Sequence, residues 1–244
     1  MQTFEFMVNG YLTKASYSEA FVAQARRLID VWWSKAEDSG QRVVVFLAAP
    51  PGAGKSTLAL LFEQLSKEKG KWVQALGMDG FHHYQRYILT HTVARDGKIL
   101  PMKKVKGCPE SFDFDRLQTF VKRLKQEEHL KWPLYDRRKH DVVDDQIEVS
   151  SPVVLLEGNY LLLEETPWNT LKQYCDISIF LSVKEEEVRT RLIQRKLMGG
   201  LLPHEAVAFC EQSDLVNVRR VLGHRMPADI TILLEDGEYK ISEG

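Results

Sequence analysis

Short continuous apolar runs alternate along this chain with longer stretches whose apolar residues recur at helical spacing. From Ser18 to Asp38, Phe21, Val22, Ala25, Leu28, Ile29 and Trp32 fall on one helical face, and Gly40 closes the run. This predicts an N-terminal helix over 18–38 that lays its apolar face on the core. Val43–Ala48 reads as a first, buried strand. A helical pattern follows to about Lys69, where Gly70 stops it. Further strands are predicted at Trp72–Gly77, Val153–Leu156, Ile177–Val183 and Asp229–Leu234. Helices are predicted from Phe112-Asp113-Phe114-Asp115 through about Glu128, over Lys184–Met198, and from Pro203 to Leu222. Strands alternating with helices predict an α/β chain, a parallel sheet with helices on both faces.

Two stretches break the pattern. Gln85–Glu110 is irregular and mostly polar, and Trp132–Asp141 with Val142–Val149 reads as a polar hairpin. Long irregular connections are usually lids or binding loops. The region of about 85–150 is therefore read as a lid or substrate-side insertion in one domain spanning 1–244.

The composition narrows the setting. A chain of 244 residues suits one α/β domain with insertions, and 44% hydrophobic content is ordinary for a globular protein. The net charge of -1 gives no reason to expect nucleic acid or a membrane surface as partner. No apolar run reaches transmembrane length, and Met1–Phe6 has neither the basic nor the apolar region of a secretory signal. Cys108, Cys175 and Cys210 form neither a disulfide framework nor a zinc pattern. A reducing cytoplasm is the simplest location.

The candidate chemistry begins where the first strand meets its helix. Ala49-Pro50-Pro51-Gly52-Ala53-Gly54-Lys55-Ser56-Thr57 is a P-loop in the context that motif requires. Gly52 and Gly54 permit a tight turn whose amides, with the new helix's positive end, cradle phosphates. Pro51, Gly52, Ala53, Gly54, Lys55, Ser56 and Thr57 form the expected nucleotide site. Lys55 reaches the β- and γ-phosphates of ATP, and Ser56 sits on Mg²⁺. Ala49 stands where the motif has glycine, which is tolerable only with φ below zero.

In a parallel sheet, ligands meet the carboxyl ends of the strands. Asp79 follows the second strand and Glu157 ends the third. Asp79 can hold or deprotonate a hydroxyl in line, and Glu157 can hold Mg²⁺ through water. A turn aspartate before Gly80 and a structural strand-end carboxylate are the ordinary alternatives. Arg191 and Arg195, one helical turn apart, can close over phosphates or pair with Glu187 on a solvated face. His82, His83, Tyr84, Arg86, Tyr135 and His140 could serve a hydroxylated polar substrate. His82 and His83 are adjacent, face apart and lack a third ligand, which argues against zinc; His83 and His91 receive no role.

At this point a resemblance emerges. It rests on Pro51-Gly52-Ala53-Gly54-Lys55-Ser56-Thr57, Met78-Asp79-Gly80-Phe81-His82, Lys106-Gly107-Cys108-Pro109-Glu110-Ser111-Phe112-Asp113, Pro133-Leu134-Tyr135-Asp136 with His140, and Leu156-Glu157-Gly158-Asn159-Tyr160. From about Val43 to Leu234 the chain resembles the uridine kinase, phosphoribulokinase and bacterial pantothenate kinase family of P-loop kinases. Within that family it is most similar to a bacterial branch described as nucleoside/nucleotide kinase-like or as a kinase linked to sugar transport.

The resemblance implies a P-loop NTPase three-layer sandwich with a five-stranded parallel sheet of order 2-3-1-4-5. It implies Asp79 as catalytic base, with Lys55, Arg191 and Arg195 also catalytic. His82 stands where uridine kinases have a substrate-contacting tyrosine. Tyr135 and His140 match nucleoside contacts, and Arg138 is expected on the substrate or the transferring group. The activity implied is transfer of the γ-phosphoryl of ATP, with Mg²⁺, to a hydroxyl of a nucleoside, sugar or pantothenate-like alcohol. A homodimer is left open. The competing reading is a nucleotide-binding switch without small-molecule kinase activity. It is disfavoured because no guanine-selecting Asn-Lys-x-Asp is found and polar residues crowd the end of the second strand.

Overall fold

The computed structural model describes residues 1–8, 10–95 and 97–243. It opens with a hairpin, β1 (Gln2–Val8) and β2 (Tyr11–Tyr17), then α1 (Glu19–Ser39). β3 (Val43–Ala48), α2 (Lys55–Glu68) and β4 (Val73–Gly77) follow, then α3 (Gln85–Thr90), β5 (Thr92–Arg95), β6 (Lys98–Pro101) and α4 (Phe114–Leu124). A second long hairpin is β7 (Leu130–Asp136) and β8 (Asp141–Val149). The chain continues through β9 (Val153–Gly158), β10 (Ile177–Val183), α5 (Glu185–Met198), α6 (Pro203–Phe209), α7 (Leu215–Gly223), β11 (Ile230–Glu235) and β12 (Glu238–Glu243). Among the described residues no helix is long and apolar enough to cross a membrane.

The main sheet has six strands in the order β4-β9-β3-β10-β11-β12. The first five in that row are parallel to their neighbours, and β12 pairs antiparallel with β11. β12 is an antiparallel edge added to the five parallel strands expected. β12 escapes the pattern because only Tyr239 and Ile241 turn inward against the core, while the remaining residues are polar. The parallel part runs in the expected order.

Alternation along the strands builds two cores. Val43, Val45 and Leu47 of β3 pack with α1 and α2, whereas Val44, Phe46 and Ala48 pack on the other face with α4, Trp132 and Trp168. β3 is buried at every position, as a central strand covered on both faces must be. The N-terminal hairpin joins the first core through Phe4, Phe6 and Tyr17. Its polar second strand hid it from the hydrophobic pattern. The described residues of 85–110 fold around a small core of Ile88, Val93, Met102, Val105 and Cys108.

Two predicted helices are corrected. α4 stops at Leu124, not near Glu128, because the carbonyls beyond it turn toward Arg42. Arg42 donates to Ser151 O and Leu124 O, each at 2.9 Å, and to the carbonyls of Glu127 and Glu128. The predicted helix 203–222 is interrupted by a π-helical turn, Cys210–Asp214. Arg42 ties α4 to β3 and the β8–β9 connection, so Arg42→Ala is expected to lose about 2 kcal/mol of stability. Urea unfolding measures this; an unchanged midpoint would show that water replaces the guanidinium at no cost.

Candidate active site

The loop after β3 is shaped by two left-handed glycines. Gly52 has φ +80° and Gly54 φ +97°. A Cβ at Gly52 would also lie 2.9 Å from Leu192 Cγ on α5. Ala53 N donates to Pro50 O at 3.2 Å, closing the turn, and α2 starts at Lys55. The first-turn amides of α2 and its positive dipole end are thus aimed at the concave side of the loop. Ala49 is fully buried and is not among the left-handed residues, so its methyl fits where the motif has glycine.

Ser56 Oγ donates to Glu157 Oε1 at 2.7 Å, and Lys55 Nζ lies 3.9 Å from Glu157 Oε2. β3 and β9 are adjacent and parallel, with Leu47 opposite Glu157, which delivers the carboxylate to the loop. No cluster of three or more His, Cys, Asp or Glu side chains that could hold a metal occurs among the described residues. One hydroxyl and one carboxylate suit an ion such as Mg²⁺ that takes its other ligands from phosphates and water.

Asp79 lies in the 3₁₀ turn Met78–Phe81 that ends β4. Arg137 Nη2 approaches its Oδ2 at 3.6 Å, and its side chain is 43% exposed to the cleft. Burial pushes the Asp79 carboxyl up, but the positive charges of His82, Lys55, Arg137 and Arg195 outweigh it and hold it below the usual aspartate range. Glu157 moves the opposite way: burial raises it and the nearby Asp79 adds to the rise, against the pull of Lys55 and Ser56. Two carboxylates with environments that push them apart suit two different tasks.

A cleft of about 340 Å³ opens between these groups and α5. Lys55, Asp79, His82, Tyr135, Lys106 and Arg195 line it. His82 shares its Nδ1 with the carbonyl of Asp79 at 2.9 Å and packs on Phe112 with ring centroids 3.9 Å apart. Burial lowers its pKa from the ordinary histidine value. Lys106 Nζ donates to Tyr135 Oη at 2.7 Å and Gln85 Oε1 at 2.9 Å. A second lobe of about 190 Å³ shares Ser56, Asp79 and Tyr135 with it, adds Glu157, and is otherwise mostly apolar, with Leu60, Pro133 and Ile147 in its walls.

The structure thus brings Lys55, Ser56, Asp79, His82, Tyr135, Glu157 and Arg195 together. Three other expected residues fall elsewhere. Arg138 and His140 are exposed on the β7–β8 turn and do not line the cleft. Both arginines lie in the turn between the two strands, where Arg137 lines the cleft and Arg138 is exposed. At His140 the carbonyl, not the ring, faces Lys106, at 3.4 Å. Arg191 lies on the flank of the loop, where Nη1 donates to Ala53 O at 3.1 Å and Nη2 sits 3.6 Å from Glu187.

Arg137, Lys106, Asn159, Asp214 and Asn217 line the cleft without having been singled out by sequence reasoning. Lys106 and Asn159 lay inside quoted motifs and were within reach of it. Asp214 and Asn217 had no local signal, since only the folding of α7 against the loops brings them in.

The sequence model of the Phosphoribulokinase / Uridine kinase family matches residues 44–198. Over 240 residues the chain is 37% identical to protein YggC of Escherichia coli (strain K12), covering 96% of this chain and 97% of that protein. It is 30% identical over 200 residues to C227.14 of Schizosaccharomyces pombe (strain 972 / ATCC 24843), a candidate uridine kinase, covering 79% of this chain and 83% of that one. Among solved structures, a candidate fructose transport system kinase from Silicibacter sp. TM1040 matches with a TM-score of 0.74 and 32% identity, over 85% of this chain and 98% of that one.

Proposed function

This chain belongs to the phosphoribulokinase/uridine kinase family of ATP-dependent small-molecule kinases, and from that premise we propose that it transfers the γ-phosphoryl of ATP to a hydroxyl of a small polar metabolite. The observation that carries this reading is the meeting of Asp79 with Lys55 and Ser56 across one cleft, with Glu157 set behind both, 2.7 Å from Ser56 Oγ and 3.9 Å from Lys55 Nζ. A phosphate cradle alone would serve a switch. A carboxylate held ionised beside it serves a second substrate with a proton to give up.

In this reading Pro51 to Thr57 hold the triphosphate, with Lys55 on the β- and γ-phosphates. Ser56 and, through water, Glu157 hold Mg²⁺, which would neutralise phosphate charge as the bond breaks. Asp79 orients the acceptor hydroxyl and takes its proton. Arg195, and Arg137 in place of the expected Arg138, stabilise charge on the transferring group. Arg191 braces the loop from outside. His82 and Tyr135 form the acceptor's wall. The test is a coupled ADP-release assay with Mg²⁺, run with and without sugars, nucleosides, hydroxy acids and pantothenate. ADP release that depends on one of them supports the reading; release indifferent to every acceptor contradicts it.

A pH dependence follows from the two carboxylates. Glu157 titrates above the ordinary glutamate value of 4.5, so acidification protonates it before Asp79, which titrates below 3.8. The charged form of Glu157 is the one that serves Lys55 and the ion. kcat/KM is therefore expected to fall as pH drops through a value above 4.5, and Glu157→Gln is expected to lose activity together with that limb. An unchanged limb in the variant would assign it to another group.

A further inference from the structure

The far end of the cleft carries polar groups that the phosphoryl-transfer reading leaves unused. Asp214 ends the π-helical turn between α6 and α7, and π turns re-aim side chains that a regular helix would send elsewhere. Asp214 is only 6% exposed, lines the cleft, and its Oδ2 has no hydrogen-bond partner. Lys196 Nζ forms an ion pair with it at 3.5 Å, at the outer edge of hydrogen-bond distance, which leaves that oxygen room for a closer donor from the cleft. Asn217 is 1% exposed and lines the same end. Its Oδ1 is taken by Arg95 Nη2 at 2.9 Å. This fixes the amide's orientation and leaves Nδ2 as its donor, on a residue that lines the cleft.

A buried acceptor beside a fixed donor requires a ligand that both donates and accepts. Native interiors do not leave such groups unmatched without reason. A hydroxyl does both. A carboxylate or phosphate would face the charge of Asp214 and leave its oxygen without a donor. Asp79, Arg195 and Asp214 line one space, so the two carboxylates flank it. That space, about 340 Å³, is roughly twice a cavity that admits a benzene-sized ligand. It accommodates a five- or six-carbon chain together with the transferring phosphoryl.

We propose that Asp214 and Asn217, with Arg95 behind Asn217, form a recognition subsite for hydroxyls of the acceptor remote from the reacting one. The acceptor is accordingly a polyhydroxylated, sugar-like compound and not a hydroxy acid or an amide-bearing alcohol. This rests on the kinase reading above, with the reacting hydroxyl at Asp79.

The test uses the full chain with Mg·ATP and a panel of D-fructose, D-ribose, D-glucose, sorbitol, glycerate, pantothenate and uridine, with monodeoxy forms of each active sugar. A sugar or polyol is expected to give the highest acceptor-dependent kcat/KM. Asp214→Asn, which keeps shape and packing, is expected to raise that acceptor's KM about tenfold or more while the KM for ATP stays put. In the wild type, one monodeoxy analogue is expected to show the same loss, and Asp214→Asn to add little to it. The analogue comparison needs no variant to fold. Uridine, whose ribose carries remote hydroxyls, counts with the sugars; a preference for glycerate or pantothenate would overturn the subsite and leave the kinase reading intact. So would an unchanged acceptor KM in Asp214→Asn together with equal use of every deoxy analogue. ADP release indifferent to the whole panel would remove both.

Discussion

Replacing Asp79 by asparagine is expected to lower kcat by about 10³-fold, within the range that a positioned general base supplies. The amide keeps the size of the side chain but can neither accept the proton nor carry the charge that Arg137 meets at 3.6 Å. The P-loop is untouched, because Lys55 and Ser56 are positioned by Glu157 and by the start of α2. Affinity for Mg²⁺ with a non-hydrolysable ATP analogue should therefore stay within about twofold, and KM for the acceptor should change little. Single-turnover kinetics with titration of the analogue separates the two effects. An Asp79→Asn protein that phosphorylates at the wild-type rate would remove Asp79 from the chemistry. Equal loss of nucleotide binding would make it a structural residue of the cradle.

Gly80→Ala should damage both stability and turnover. A Cβ on Gly80 would fall 2.3 Å from Pro133 O and 2.6 Å from Pro133 C, both backbone atoms of β7. No side-chain rotation relieves that contact. β7 cannot simply retreat, because Trp132 is fully buried and its Nε1 donates to Gly77 O at 2.9 Å. Either the 3₁₀ turn carrying Asp79 moves, or the strand carrying Tyr135 moves. Overpacking of this kind costs on the order of 1–3 kcal/mol. A displacement of about 1 Å at the reacting groups costs about 10²-fold in rate. Thermal unfolding and steady-state kinetics on one preparation measure the pair of effects. A variant with the wild-type midpoint and wild-type kcat would show that the turn and β7 are not coupled.

Residues at the ends of buried strands were legible in the sequence, and residues on turns and helix junctions were not. Lys55, Ser56, Asp79 and Glu157 were legible because each follows a strand whose apolar run is unmistakable, and a parallel sheet gathers strand ends at one edge. The order of the parallel strands came from resemblance, not periodicity. Arg137 was not distinguishable from Arg138, since the conformation of the turn between β7 and β8 decides which of two neighbouring arginines lines the cleft. Nor could residue spacing tell that His140 offers its carbonyl and not its ring. β12 and the β1–β2 hairpin carry few inward apolar residues, so hydrophobic runs could not mark them. Asp214 and Asn217 depend on a π turn between two helices, a feature with no hydrophobic period of its own. The pattern of apolar residues thus reports the scaffold, while the direction of polar side chains on hairpins and helix junctions had to be seen.

The measurement that bears most directly on the proposed activity is the fate of the γ-phosphoryl group, followed by ³¹P NMR with Mg·ATP and the panel of hydroxylated acceptors. The arrangement of Asp79 opposite Lys55, Ser56 and Glu157 predicts a new phosphate monoester, formed one for one with ADP and only when its acceptor is present. Inorganic phosphate as the sole product, at a rate that no acceptor changes, would contradict it and leave a nucleotide-hydrolysing switch in its place.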